Sequence, residues 1–221
     1  VWKKDTKNTT DGEQISNAVA KALGLAAPDM YRNEDRVVTM DFVRGKVAQD
    51  GLRSIDAGKA KGPWARFSNS DEVYQTDDMK RLALLDALVL NSDRHKGNWM
   101  LSDDGRIVPI DHGFTFAMAF GRAPEDPISG RVSTPESARR YAKGTIAQAY
   151  RDSKIRNILF DGNFELKDND FTPADIAALR QQIMAMRPMA KLLDKEVLID
   201  NMLARLEIIG QHAKGTRNII A

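Results

Sequence analysis

The chain has 221 residues, with 33 basic and 31 acidic side chains, a net charge of +2 and no cysteine. This near balance gives no mandate for nucleic acid or a membrane surface, and the missing thiols exclude disulfides, thiolate chemistry and cysteine–zinc sites. A hydrophobic content of 42% supports a real core. No run of about 18 apolar residues can span a membrane, no signal peptide opens the chain, and the expected setting is cytoplasmic.

In chain order, Val1–Lys4 reads as the end of a strand. The chain opens without Met, and the expectation is a piece of a longer polypeptide or assembly. Glu13–Leu23 carries Ile15, Ala18, Val19, Ala22 and Leu23 at helical spacing, with Gly24 as its stop. Met30-Tyr31 and Val37–Val43 read as strands flanking a turn at Asn33-Glu34-Asp35, with Gly45 ending the second. Residues 46–75, broken by Gly51, Gly58, Gly62 and Pro63, read as an irregular connection with a helical turn. Asp77–Leu90 is apolar on almost every side and predicts a buried helix. Trp99–Leu101 and Ile107–Ile110 flank Asp103-Asp104-Gly105, a hairpin signal. Residues 114–135 read as a long loop, and helices are expected near 136–152, 173–187 and 194–212. Thr172-Pro173-Ala174-Asp175 supplies a capping Thr, a Pro at the first helical position and an acid in the first turn.

The chemistry concentrates in two short polar stretches, Asn91-Ser92-Asp93-Arg94-His95-Lys96-Gly97-Asn98 and Asp111-His112-Gly113. They sit at the base of the hairpin, which brings Asn98 and Asp111 close together. Taken singly, Asp93 is as well explained as a loop carboxylate paired with Arg94, and Asn98 and Asp111 as turn residues. Together they form the set that ATP-dependent phosphoryl transfer needs: a carboxylate near the attacking hydroxyl, and an Asn and an Asp to hold magnesium on the phosphates. The five-residue step from Asp93 to Asn98 repeats the D-x-x-x-x-N spacing of kinase catalytic loops.

The stretch Asp93-Arg94-His95-x-x-Asn98 followed by Gly105–Phe114 resembles the catalytic core of the phosphatidylinositol 3/4-kinase-like superfamily. Asn91–Asn98 also resembles the loop of bacterial HipA-type serine/threonine kinases. The resemblance is tight over residues 82–116, loose over 1–45 and absent beyond about 120. It implies an α+β, bilobal kinase-like fold. Residues 1–45 would form a truncated, β-rich N-lobe with a lysine strand, a helix and a hinge strand, and 46–221 a mainly helical C-lobe. It implies ATP and magnesium as cofactors. Asp93 and His95 would be catalytic, and Asn98 and Asp111 would hold the metal. Lys3 would be the ATP lysine, Glu13 its ion-pair partner, and the backbone from Asp41 to Val43 would meet the adenine edge. Two solvent-facing lysines and an ordinary core strand remain the alternatives for Lys3-Lys4 and residues 39–45.

His112 replaces the Phe usual in D-F-G, and no glycine-rich phosphate loop precedes Lys3. The leading expectation is an atypical protein Ser/Thr kinase acting on a protein substrate, with no nucleic-acid partner evident. A phosphoinositide kinase is the alternative, placed second because residues 114–135 offer only Arg122 and Arg131 as basic contacts for a headgroup. A degenerate kinase-like binding domain of a larger assembly, and a metal-dependent hydrolase using Asp93, His95, Asp111 and His112, are the other classes.

Overall fold

The computed structural model of the chain describes residues 2–3, 9–32, 38–89, 91, 94–112, 115–116, 169–211 and 213–220. The expected helix at 136–152, nearly all of the expected loop at 114–135, and Asp93 lie outside the described residues. Those described form an α+β architecture of helices and two small antiparallel sheets.

The first sheet holds β1 (Trp2–Lys3), β2 (Met30–Arg32) and β3 (Val38–Met40), in the order β1-β3-β2. Lys3 lies opposite Val38, and Tyr31 opposite Thr39. Between β1 and β2 runs α1 (Thr9–Ala22), which starts a turn before the expected Glu13 and carries Asp11 in its first turn, where a carboxylate suits the helix dipole. Gly24 follows it at φ 73, a left-handed conformation that stops a helix at little cost in glycine.

The second sheet joins β4 (Gly45–Val47), β5 (Trp99–Ser102) and β6 (Ile107–Pro109) in that order. Gly45 was expected to end a strand, and instead it begins one. A Cβ there would lie 2.4 Å from the Leu101 carbonyl oxygen, so glycine is what lets β4 close onto β5. The preceding strand stops at Met40, where its partner β2 runs out at Met30, and residues 41–44 link the two sheets. The hairpin between β5 and β6 turns at 103–105 as expected, pairing Trp99 with Pro109 and Leu101 with Ile107.

Residues 46–75 are more regular than the sequence suggested. They contain α2 (Ala48–Asp56), a 3-10 turn (Gly62–Arg66) and α3 (Ser70–Tyr74). The buried face of α2 is Ala48, Gly51, Leu52 and Ile55, a helical period that Gly51 disguised. Gly51 acts here as a packing residue: a Cβ would sit 2.2 Å from the Trp64 ring. Trp64 in turn lies 6.1 Å from Trp99, and Tyr74 meets Trp99 edge-on at 6.4 Å. This aromatic cluster backs the start of the hairpin. Asn69 caps α3 by accepting from the Glu72 N–H, and Glu72 accepts from Ser68 N–H.

The centre of the core is α4 (Asp77–Val89), buried continuously from Leu82 to Val89. Against it pack α1 and, of the C-terminal helices α5 (Pro173–Ala185), α6 (Arg187–Leu192) and α7 (Glu196–Gly210), the last; α5 packs on α7 and α1, and α6 on α7 and α5. The expected helix start at Thr172 is a full capping box with Asp175. Asp175 also accepts from the Ile219 and Ile220 N–H groups, which fixes residues 219–220 against α5. At its N-terminus α4 presents Asp78, which binds Arg81, Arg106 and the Ile107 N–H and so ties the hairpin turn to the core.

Substituting Gly51→Ala is expected to force Trp64 from its place and to destabilise the protein by about 1–3 kcal/mol. Chemical denaturation of the two proteins checks it, and an unchanged midpoint would refute the close-packing role.

Candidate active site

The site is organised by a charge inside the core. Asp86, in the last turn of α4, has a side chain with no exposure, and so has its partner Arg94. The guanidinium meets the carboxylate with both edges: Nε to Oδ2 at 2.9 Å and one terminal NH₂ to Oδ1 at 3.0 Å. Asn91 adds a side-chain donor to Oδ1 at 3.1 Å, and its N–H bonds the Asp86 carbonyl at 3.0 Å. Burial pushes the Asp86 carboxyl up from its ordinary value. The Arg94 charge and the hydrogen bonds from Arg94 and Asn91 pull against that rise.

The second terminal nitrogen of Arg94 reaches the hairpin. It donates to the Asn98 carbonyl and, at 2.9 Å, to the Ile110 carbonyl. The Ile110 N–H donates to the Asn98 carbonyl at 3.1 Å. One guanidinium therefore bridges the loop before β5 and the residue that follows β6. The sequence expectation that the hairpin gathers Asn98 and Asp111 holds at the backbone: Asn98 pairs with Ile110, the neighbour of Asp111. Asn98 is buried, whereas Asp111 is exposed.

The backbone turns at Asp111. Asp111 itself takes φ 56, a left-handed backbone that a non-glycine residue adopts at some cost and that gathers at functional sites. His112 is buried, with its Nδ1 3.3 Å from Arg94. Arg94 only donates, so Nδ1 accepts and the ring proton sits on Nε2. This joins His112 to the clamp through its Nδ1. Among the described residues, no group of three His, Asp or Glu side chains is placed to hold a metal.

His95 is exposed, and its Nδ1 accepts from the Gly97 N–H at 2.9 Å. A Cβ on Gly97 would stand 2.7 Å from the ring, so Gly97 makes room for the imidazole to fold over the loop. Glu13 is buried on α1. One turn on, Ser16 donates to the Thr115 hydroxyl at 2.9 Å, so the helix carrying Glu13 is tied to the segment after Asp111. Lys3 lies on β1, paired with Val38 in the first sheet. Asp41 is exposed and Val43 half-buried in the link between sheets, where the Asp41 N–H bonds the Asp29 carbonyl at 3.0 Å.

Three residues escaped the sequence reading. Asp86 passed as part of an apolar helix, Arg94 as a motif residue and an ordinary partner for Asp93, and Arg205 as one residue of the helix expected near 194–212. Arg205 is buried on α7 and its Nε donates to the Leu88 carbonyl at 2.7 Å. The last carbonyls of α4 are thus used in turn: Asp86 by Asn91, Leu88 by Arg205, and Val89 by the Phe116 N–H at 2.9 Å. A cation at that helix end suits the dipole. A lone carboxylate within a buried apolar helix was the available signal.

The family model described as Phosphatidylinositol 3- and 4-kinase matches residues 46–136. Phosphatidylinositol 4-kinase gamma 3 of Arabidopsis thaliana is 32% identical over 79 residues, which are 34% of this chain and 13% of that protein. Phosphatidylinositol 4-kinase gamma 4 of Oryza sativa subsp. japonica is 33% identical over 52 residues, 22% of this chain and 9% of that protein. The matches therefore span only a small part of these curated relatives. No solved structure matches significantly. The family match and the two relatives support a kinase. They favour the lipid-kinase alternative over the Ser/Thr protein specificity expected first, while the HipA resemblance rests on the loop residues alone. Among the described residues, no helix is long and apolar enough to cross a membrane.

Breaking the clamp is expected to cost about 3–5 kcal/mol in either single variant, Arg94→Met or Asp86→Leu, because each strands a buried charge. The double variant is expected to recover most of that loss. Denaturation of the four proteins measures the cycle, and single variants as stable as the parent would show that the pair is not buried as described.

Proposed function

We propose that the chain is the catalytic part of an ATP- and magnesium-dependent phosphotransferase of the phosphatidylinositol-kinase type, with an inositol-lipid hydroxyl as acceptor. The observation that carries this reading is the clamped hairpin, which gathers the Asn98 and Asp111 backbones within the stretch that the family model matches. The names of the two plant relatives favour a lipid acceptor over a protein one.

Asn98 and Asp111 fit a magnesium ion as a donor set. They offer one amide and one carboxylate oxygen, and this metal prefers few protein ligands alongside water and substrate phosphates. When bound there it would offset the charge on the transferring phosphoryl group. The chain's own residues do the rest. Asp93 orients the acceptor hydroxyl and takes its proton as the oxygen bonds to the γ-phosphorus and the bond from that phosphorus to the β–γ bridging oxygen breaks, releasing ADP. His95 lies two residues on, folded over its loop, and steadies the phosphoryl group. Lys3, aligned by Glu13, holds the other ATP phosphates, and the backbone of Asp41 to Val43 receives the adenine edge. Residues 1–45 and 46–221 act as the two lobes of this site, joined at the link between the sheets.

Incubation of the protein with γ-labelled ATP, magnesium and phosphatidylinositol vesicles is expected to label the lipid. Asp111→Ala and Asn98→Ala are each expected to lower the rate by at least 100-fold, on the scale of lost electrostatic stabilisation of a transferring group. Label found on Ser or Thr of a protein and not on lipid would replace the proposed acceptor. Full activity in Asp111→Ala would remove that residue from the site.

A further inference from the structure

Outside residues 44–66, seven described cations are committed to carboxylates. Lys21 pairs with Asp29, Lys80 with Asp170, Arg81 and Arg106 with Asp78, Arg94 with Asp86, Arg187 with Asp200, and Arg217 with Asp77. Residues 44–66 differ. Arg44, Lys46, Arg53, Lys59, Lys61 and Arg66 are all exposed. Among the described residues, no carboxylate pairs with any of the six. Arg66 donates to the Gly105 carbonyl and lies over the Phe67 ring, a neutral pair of contacts that leaves its charge uncompensated. The stretch holds only two acids, Asp50 and Asp56, and Asp56 already accepts from the Ser70 hydroxyl. Its net charge is +4, against +2 for the whole chain, so the remainder is net acidic. Solvated lysines are ordinary, but this asymmetry within one short unit is not.

The unit is also well placed. It comprises β4, α2 and the 3-10 turn, which pack together, with Trp64 against Gly51. β4 pairs with β5, the strand that begins just after Asn98. The Gln49 N–H, in the first turn of α2, donates to the Lys96 carbonyl at 2.9 Å, joining the unit to the candidate catalytic loop. The apolar face of α2 is spent on the core, which leaves Arg53 outward.

We propose that this basic stretch, which runs from Arg44 and Arg66 at the hairpin turn to α2 beside the candidate catalytic loop, docks the protein on an anionic phospholipid surface. It supplies positive charge that residues 114–135, with only Arg122 and Arg131, have little of in sequence. The purpose rests on the lipid-kinase reading, but the binding itself does not need catalysis to be measured. An anionic leaflet attracts surface lysines and arginines individually and within a Debye length, so the attraction falls as salt rises.

The test is co-sedimentation of the protein with phosphatidylcholine vesicles, with and without phosphatidylserine, at low and high salt. The parent is expected to bind only the anionic vesicles and to leave them at high salt. The variant Arg53→Glu/Lys59→Glu/Lys61→Glu touches exposed, unpaired side chains, so its melting temperature should match the parent's. Its vesicle affinity should fall by a factor of about 100 or more. Its phosphorylation of a monodisperse short-chain phosphatidylinositol should be unchanged, while that of vesicle-embedded lipid falls. Equal sedimentation of parent and variant, or binding to neutral vesicles alone, would overturn the proposal. So would tight salt-sensitive binding to an acidic peptide without vesicle binding, which would point to a protein partner. If vesicles are bound as expected but no lipid is phosphorylated, the docking surface stands and the kinase reading fails.

Discussion

The structure turns on one buried ion pair, Asp86 with Arg94. A carboxylate and a guanidinium 2.9 Å apart attract by about 5–6 kcal/mol at an effective dielectric near 20. Taking both from water costs several kcal/mol for each. The two terms roughly cancel, so the pair adds little net stability. Its value lies in geometry. Arg94 has hydrogens left after satisfying Asp86, and it spends them on the Asn98 and Ile110 carbonyls. A hydrophobic pair of the same volume would fill the space without gathering the loop and the hairpin end.

The rest of the core can be understood as support for that clamp. Helix α4 carries Asp86 in its last turn and is buried on every side there. Its terminal carbonyls hold the loop at Asn91, the segment at Phe116 and, through Arg205, helix α7. At the other end, Asp78 ties down Arg106 and the Ile107 N–H, which sets the far end of the hairpin. The aromatic cluster of Trp64, Tyr74 and Trp99 backs the hairpin where Asn98 enters it. Ser16 and Thr115 link α1 to the same neighbourhood.

Local features were legible in the sequence, and tertiary ones were not. The hairpin was readable because Asp-Gly turn chemistry and alternating apolar runs are short-range signals, and the capping box at Thr172 for the same reason. Helix α2 was missed because Gly51 reads as a breaker, although it is there to admit Trp64. Gly45 reads as a stop but serves a close strand approach. Asp86 showed only as a carboxylate within a buried apolar helix, and Arg94 and Arg205 carry no local sign of their roles, since each acts through a partner from another segment. For the site itself, the D-R-H-x-x-N and D-x-G spacings pointed to two loops that the structure joins through Asn98 and Ile110. That Asp111 bends the chain at its own φ, and that His112 joins the clamp, depend on packing. The preference for a protein acceptor came from the HipA-like loop, the chain's size and composition and the few cations in residues 114–135, and the family match and the relatives favour the lipid alternative instead.

The central claim is that the clamp sets Asn98 and Asp111 to share one metal ion on the nucleotide. Paramagnetic broadening of backbone amide resonances tests it most directly, with manganese replacing magnesium on a non-hydrolysable ATP analogue. The account predicts that the Asn98, Ile110 and Asp111 amides broaden together at substoichiometric manganese, and that Arg94→Met uncouples them. Broadening confined to other regions, or reaching only one of the two loops, would contradict it.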